Sequence, residues 1–357
     1  MKKIVSVILS AFAILSITLL PGCGKNYDAT LIVYNWGGPY MAEGSNDTID
    51  INEMFEEKYN VKIKYRTYDS NESMYAKLKN GGAEYDIIIP SDYMVARLIE
   101  ENLVEKLDFS NIPLFETNVM DSFKNPDYDP TNEYSVPYAW GTVGIIYNKT
   151  IVKEDVTSWD ILWNEKYSDN VLMFNNSRDA FAVAQTMLGY SQNTTDKNEI
   201  KAAADKLSEQ KKVVQGYYMD EIYDKMINGD AALATYYAGD AIVMMEENSD
   251  LAFAYPQEGT NRFVDAVCIP KGSKNKTFAE MYINFLLEAE IALANSEVTG
   301  YCTPNSAAFE LLDDEVKNNK IMYPDDEYLK KCESFIHLPS ETNTYVQELW
   351  INIKTED

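Results

Sequence analysis

Short apolar segments alternate with segments of helical periodicity through the first third of the sequence. The apolar segments have the length of strands, and two of them end at Gly or Pro. The segments between them bring apolar side chains to one face of a helix. Predicted strands cover residues 31–36, 61–65 and 85–89, and predicted helices cover residues 50–59, 73–79 and 94–101. Alternation at this spacing predicts βαβ units and a right-handed, mostly parallel sheet.

The alternation returns after residues 135–142, so the α/β fold class extends over the chain. Predicted strands there cover residues 172–174, 231–237 and 263–270, and predicted helices cover residues 180–189, 239–247 and 277–287. Ligands of such sheets bind beyond the carboxyl ends of the strands. In the first half, this rule points to Trp36 and to the turn at residues 91–93.

The N-terminus has the pattern of an export signal. A basic pair precedes an apolar run over residues 4–20, which leads into Pro-Gly-Cys23. This ending resembles the lipobox of bacterial lipoproteins, so we expect a signal peptide over residues 1–22 and a lipidated tether over residues 23–28. The lipid on Cys23 would hold the exported chain on the outer face of the cytoplasmic membrane. An uncleaved membrane anchor is the alternative, although the run is short for a span.

The charge balance is strongly acidic. Asp and Glu number 57 against 31 Lys and Arg, which gives a formal net charge of −26. Nucleic-acid contacts need clustered Lys and Arg, so this balance argues against a nucleic-acid partner. It favours a cationic ligand, although acidity also serves solubility alone.

The cysteines and the histidine exclude two other kinds of site. Cys268, Cys302 and Cys332 are too few and too scattered for a disulfide framework, although one pair could bridge. His337 is the only histidine, and no paired-Cys spacing occurs. The sequence therefore predicts neither a metal site nor a cofactor.

Seven segments, in order along the chain, resemble one protein family. They are residues 34–36, 68–78, 85–91, 135–141, 188–196, 255–259 and 300–305. Through them the chain resembles the extracytoplasmic spermidine/putrescine-binding proteins of bacterial polyamine ABC transporters. The resemblance runs from about residue 31 to the C-terminus, and several segments in register are more specific than a single motif.

The resemblance implies a two-lobed clamp, the type II periplasmic-binding-protein-like fold. Each lobe would be a mostly parallel sheet flanked by helices, and two hinge crossovers would join the lobes. Lobe 1 would comprise residues 29–139 plus 265–307, and lobe 2 residues 140–264 plus 308–357.

The resemblance also implies ten residues in a cleft between the lobes. Trp36, Tyr40, Tyr93, Tyr237, Phe263 and Tyr301 would form aromatic walls, Asp179, Asp240 and Asp265 would receive ammonium groups, and Ser91 would contribute a hydroxyl. These types suit a polyamine, whose cationic nitrogens need carboxylates and whose methylenes need apolar walls. The resemblance implies that Asp265 is the central anchor, and the sequence supports this, because a carboxylate within an apolar strand needs a partner. Arg178 is interpreted as a structural ion-pair partner of Asp179.

The predicted function is that of a polyamine receptor rather than an enzyme. The receptor, expected to be a monomer, would close on putrescine or spermidine and deliver it to an ABC permease driven by a cytoplasmic ATPase. The preferred polyamine stays open. One alternative is a clamp for another solute, such as an amino acid or a sugar. A second is an exported hydrolase that uses paired acids, although no residue stands out as a general acid.

Overall fold

The computed structural model describes residues 25–38, 40–44, 48–81 and 84–355. The predicted signal peptide and the predicted lipidation site at Cys23 lie outside the described residues. Within them, no helix combines the length and the apolar character that crossing a bilayer requires.

Nine strands among the described residues form one connected sheet. They are β1 (Ala29–Trp36), β2 (Val61–Tyr68), β3 (Ile87–Ile88), β4 (Ser135–Asn148), β5 (Val171–Phe174), β6 (Val214–Tyr218), β7 (Leu233–Tyr237), β8 (Leu251–Ala254) and β9 (Arg262–Cys268). Their order is β2-β1-β3-β9-β4-β7-β5-β6, and β8 pairs with β4. Strand β1 is parallel to β2 and β3, and β5 is parallel to β6 and β7.

Every antiparallel pair includes β4 or β9. The sheet is therefore mixed, because these two strands add antiparallel pairing to two parallel groups. The predicted α/β class is confirmed, and the parallel character is restricted to the groups that βαβ units build.

Fourteen α-helices flank the sheet in the described part of the chain. They are α1 (Ile51–Tyr59), α2 (Asn71–Lys79), α3 (Asp92–Glu100), α4 (Leu114–Asn118), α5 (Ser177–Met187), α6 (Lys197–Gln210), α7 (Glu221–Asn228), α8 (Ala238–Glu247), α9 (Lys276–Leu286), α10 (Ala289–Thr299), α11 (Ser306–Leu311), α12 (Asp314–Lys317), α13 (Asp326–Leu329) and α14 (Ser340–Thr355). Side-chain caps begin α1 and α2, where Asp50 and Ser70 accept the backbone N–H groups of Glu53 and Ser73.

Strand β4 joins the two halves of the sheet. Its residues 135–142 pair with β9, and its residues 143–148 pair with β7 and β8. The register shifts between Pro137 and Ala139, as expected where a residue without an N–H interrupts a ladder. Two of the lobe boundaries predicted from the sequence, at residues 139/140 and 264/265, fall within β4 and β9, and the third, at residues 307/308, falls within α11.

Two sets of buried apolar side chains lie on the two sides of these crossovers. The first set includes Leu31, Phe55 and Phe285, and the second includes Phe174 and Trp350, the latter on the C-terminal helix α14. Each half thus has its own core, as a domain that can move as a unit requires. Met322, in the C-terminal segment, packs with the first set.

The predicted strand over residues 85–89 is reduced to the two residues of β3. Pro90 has no N–H with which to extend the ladder. At the start of β3, the side chain of Asp86 replaces a backbone carbonyl as the acceptor: the N–H of Ile32 in β1 donates to it (2.9 Å). The strand ends at the turn that leads into α3, and this turn reaches the site described next.

Candidate ligand-binding site

A cleft of about 370 Å³ opens between residues of the two halves. Its walls come from the carboxyl end of β1, the start of α3, the junction of β7 and α8, and β9. All ten residues implied by the resemblance line it: Trp36, Tyr40, Ser91, Tyr93, Asp179, Tyr237, Asp240, Phe263, Asp265 and Tyr301. The fold thus gathers residues that are far apart in the sequence. Their contacts with a ligand stay predictions.

Five aromatic rings form a continuous row along the cleft. Ring centroids are 5.6 Å apart between Tyr237 and Phe263, and 5.9 Å between Phe263 and Tyr301. The row continues from Tyr301 to Tyr40 at 5.2 Å and from Tyr40 to Trp36 at 6.5 Å. Each pair meets edge to face, which is a favoured geometry for aromatic contacts. The row provides an extended apolar wall.

Three aspartates accept hydrogen bonds from the tyrosine hydroxyls of this row. Asp179 accepts a hydrogen bond from Tyr237 (3.3 Å), Asp240 from Tyr301 (2.8 Å) and Asp265 from Tyr40. Asp265 is only 3% exposed, and its Oδ1 atom is buried without a hydrogen-bond partner among the described residues. A buried carboxylate oxygen with no partner indicates a donor that the protein itself does not supply.

Burial raises the pKa values of these carboxyl groups. The pKa rises to about 7 for Asp179, to about 7 for Asp240 and to about 6 for Asp265. Hydrogen-bonding hydroxyls oppose the rise in pKa, because they stabilise the ionised form: Tyr237 for Asp179, Tyr301 for Asp240, and Ser91 followed by Tyr40 for Asp265. Ionised carboxylates in the cleft therefore destabilise the fold, and a bound cation would offset this destabilisation.

Two glycines allow Tyr301 to lie beside α8. A Cβ atom on Gly239 would lie 2.9 Å from the Tyr301 ring. Gly300 ends α10 in the left-handed conformation (φ 69°), and a Cβ atom there would lie 2.6 Å from the carbonyl oxygen of Gly239. Only glycine fits this approach, which brings the Tyr301 hydroxyl to Asp240.

Ser91 occupies the N-cap position of α3, yet its side chain makes no capping hydrogen bond. Asn71 donates to the Ser91 hydroxyl (3.2 Å) and to the Tyr93 hydroxyl (3.1 Å), and Tyr93 in turn donates to Glu72 (3.0 Å). Through this network, side chains of α2 hold the predicted cleft residues Ser91 and Tyr93 in position.

Arg178 does not form the ion pair with Asp179 that the sequence suggested. Its guanidinium donates to the carbonyl oxygen of Gln192 (3.1 Å) and to the side chain of Asn193 (2.9 Å), and it lies 4.3 Å from the centroid of the Phe335 ring. The two neighbours diverge because Asp179 turns towards Tyr237 in the cleft, whereas Arg178 supports the loops behind it.

Several cleft residues were missed by sequence reasoning. Phe335 lines the cleft close to His337, where the contributing residue could not be named from the sequence. Asp92 lines it too, although a Ser-Asp pair before a helix predicts only a cap. Asp69, Asp220 and Asp224 complete a set of seven lining aspartates, and no Lys, Arg or His lines the cleft among the described residues.

Comparison with known proteins identifies the family. The model of the family described as bacterial extracellular solute-binding protein matches residues 51–324. The chain belongs to this family. It is an extracellular or periplasmic solute-binding protein and not an enzyme, as the sequence predicted.

Individual relatives agree with this assignment. The spermidine/putrescine-binding periplasmic protein of Escherichia coli is 38% identical over 307 residues, which are 85% of this chain and 86% of the relative. The solved structure of the spermidine/putrescine ABC transporter substrate-binding protein PotD from Streptococcus pneumoniae is 37% identical, with a TM-score of 0.79 over 91% of this chain and 98% of that one. The TpPotD lipoprotein of Treponema pallidum is 27% identical, with a TM-score of 0.79 over 91% and 99% of the two chains. The predicted resemblance is confirmed.

The buried charge of Asp265 predicts an effect on stability. The folded-state pKa of Asp265 is raised, so ionisation destabilises the folded, ligand-free protein once the pH exceeds the ordinary Asp pKa near 4. Asp265→Asn should therefore raise the free energy of unfolding by about 1–3 kcal/mol at pH 8, and the gain should shrink as the pH falls from 6 to 4. Thermal melting of ligand-stripped protein at several pH values measures it.

Asp127→Asn is the matched control, because Asp127 is exposed and its removal changes the net charge by the same amount. It should leave the melting temperature nearly unchanged. A melting temperature of Asp265→Asn below that of the parent protein at pH 8 would contradict the prediction.

Proposed function

We propose that the protein is an extracytoplasmic receptor for polyamines, which binds putrescine or spermidine and delivers it to an ABC permease. The main observation in support of the proposal is the row of aromatic rings, whose tyrosines are hydrogen-bonded to carboxylates along its length. No lysine, arginine or histidine of the described residues lines this cleft. An extended organic polycation matches such a site in both charge and shape.

The chemistry of the row fits each part of a polyamine. Ammonium groups would bind at Asp179, Asp240 and Asp265, which are charge-assisted hydrogen-bond acceptors. The methylenes would lie along the rings between Trp36 and Tyr237. Each ring face adds a cation–π attraction of about 0.5–2 kcal/mol where an ammonium group approaches it. The names of the Escherichia coli and Streptococcus pneumoniae relatives support the same ligand class.

A clamp for amino acids receives less support from the cleft. An amino-acid ligand carries a carboxylate, which needs a cationic or N–H-rich partner. The seven aspartates that line this cleft would repel it. A hydrolase is not proposed, since the family binds solutes.

Binding would close the two lobes on the ligand. The lobes, residues 29–139 plus 265–307 and 140–264 plus 308–357, would hinge where β4 and β9 cross between them. Asp179 and Asp240 lie in the second lobe so defined, and Asp265 begins the last segment of the first. A ligand can pair with all three aspartates only when the lobes are closed. The ligand therefore binds the closed state more tightly than the open state, and this difference in affinity drives closure.

We expect the receptor to act as a monomer anchored by lipid at Cys23. The motif before Cys23 supports the anchor, and the Treponema pallidum relative is named a lipoprotein. Cys23→Ser should release the protein into the medium or periplasm and abolish metabolic labelling with a fatty acid, whereas wild type stays with the membrane fraction. Labelling that persists in Cys23→Ser would contradict the anchor.

Calorimetric titration tests the function directly. The mature domain, stripped of ligand, should bind putrescine or spermidine in low salt, and 1,4-butanediol, the uncharged analogue of putrescine, should give no binding. Asp265→Ala should weaken binding more than tenfold, about 1.4 kcal/mol or beyond, because a desolvated charge partner is lost. Trp36→Ala should weaken it similarly by removing a wall.

The control is Asp127→Ala, which removes an exposed acid and should bind like wild type. Absence of heat with both polyamines at millimolar concentration would reject the function. Unchanged affinity in both cleft variants would show that the ligand binds elsewhere.

A further inference from the structure

The hydroxyl of Tyr40 donates to Asp265, so the position of Tyr40 decides how this carboxylate is held. Tyr40 lies outside the strands and helices, after a bend at Gly37 and Gly38. Its own N–H donates to the carbonyl oxygen of Gly38 (2.9 Å), which is a local contact within the same bend. A binding residue on such a segment keeps a precise position only when neighbouring side chains hold it.

Two side chains donate to the backbone carbonyl oxygen of Tyr40. The Tyr138 hydroxyl lies 2.8 Å from this oxygen, and the amide nitrogen of Asn35 lies 3.4 Å from it. The side-chain oxygen of Asn35, a fully buried residue, accepts the N–H of Trp36 (2.9 Å). The shorter of the two hydrogen bonds to Tyr40 comes from Tyr138, whose ring also contacts the Tyr40 ring, with 5.9 Å between the centroids. Tyr138 is therefore the main support of Tyr40.

A β-bulge brings Tyr138 to this position. Its two neighbours in β4 pair with consecutive residues of β9, Ala266 and Asp265, so Tyr138 is an extra residue that no residue of β9 opposes. Such bulges bend a strand and re-aim a side chain, and they are common next to functional sites. Tyr138 is half-buried and is not among the residues that line the cleft. Its hydroxyl thus reaches Tyr40 from behind the cleft wall.

We infer that Tyr138 is a positioning residue of the polyamine site, which holds Tyr40 so that the Tyr40 hydroxyl stays on Asp265. The hydrogen bonds run from Tyr138 in β4 to the Tyr40 carbonyl oxygen, and from the Tyr40 hydroxyl to Asp265 in β9. Both ends of this chain lie on the paired strands that cross between the halves of the sheet. This role rests on the proposed polyamine function and adds to it a residue outside the lining of the cleft.

Tyr138→Phe removes the hydroxyl and keeps the ring, so it tests the hydrogen bond without removing the packing. The Tyr40 carbonyl oxygen would keep the longer hydrogen bond from Asn35, and the Tyr40 hydroxyl would be held less firmly on Asp265. In calorimetric titration of the ligand-stripped protein, putrescine and spermidine should bind about three- to tenfold more weakly, as expected when one hydrogen bond is lost.

Tyr328→Phe is the matched control. Tyr328 is also half-buried, and its hydroxyl also donates to a backbone carbonyl oxygen, that of Pro256 (2.9 Å). Neither residue lines the cleft. This variant therefore removes the same kind of hydrogen bond and should bind polyamines like wild type.

A double-mutant cycle distinguishes positioning from a structural role. Tyr40→Phe removes the hydroxyl that Tyr138 holds in place, so adding Tyr138→Phe to this variant should weaken binding less than about twofold further. If Tyr138 served only the stability of the strands, Tyr138→Phe would weaken binding equally in the presence and in the absence of the Tyr40 hydroxyl.

Nuclear magnetic resonance of tyrosine labelled at the carbon that bears the hydroxyl gives a second readout. The Tyr40 signal, identified by its loss in Tyr40→Phe, reports the hydrogen bond of this hydroxyl to Asp265. It should shift in Tyr138→Phe, which keeps the neighbouring ring, and it should stay in place in Tyr328→Phe. Where Tyr40→Phe binds too weakly for titration, this signal decides.

The outcomes separate the role of Tyr138 from the function itself. Unchanged affinity in Tyr138→Phe, equal losses in the two backgrounds or an unshifted Tyr40 signal would overturn the role and leave the polyamine function intact. Absence of putrescine and spermidine binding to wild type would instead remove the function on which the role rests.

Discussion

Uncompensated negative charge buried in the cleft is the interaction on which the rest of the site depends. Among the described residues, one oxygen of Asp265 accepts no hydrogen bond, and the hydrogen bonds that Asp179 and Asp240 accept come from neutral tyrosine hydroxyls. Hydroxyls orient a carboxylate but do not neutralise it. Without a ligand, the folded protein is therefore less stable than it would be with neutral residues at these positions. This is the usual compromise between stability and function at a binding site. A polycation that fits the cleft regains this free energy as affinity.

The tyrosines that hold the cleft carboxylates come from both halves of the fold. Tyr40 and Tyr301 come from segments outside the β4–β9 interval, whereas Tyr237 lies within it. Their rings nevertheless form one row, because the Gly300–Gly239 approach brings Tyr301 against the start of α8. The acids are consequently held by rings from both sides, so the site is complete only where the halves meet.

Much of this architecture could be predicted from the sequence, because the strongest local patterns are those of βαβ units. Strand β1, helix α1 and helix α8 lie within a few residues of their predicted positions. The antiparallel pairs of β4 and β9 could not be predicted, since strand direction across a crossover depends on tertiary pairing.

Site prediction failed where one residue type has two roles. Asp92 has the pattern of a helix cap and is instead a buried cleft acid, and Arg178 has the pattern of an ion pair and instead stacks on Phe335. Asp265 was predicted from the resemblance, and its position within an apolar strand supported the prediction, because a buried carboxylate needs a partner. Phe335 gave no signal, since its loop has no periodicity.

A crystal structure of the mature protein with spermidine tests the central claim most directly. We expect an extended ligand along the row from Trp36 to Tyr237, with nitrogens within hydrogen-bond distance of Asp265 and of Asp179 or Asp240. A ligand held by the exposed acids Asp69, Asp220 and Asp224 alone, with the buried carboxylates still unpaired, would contradict the account.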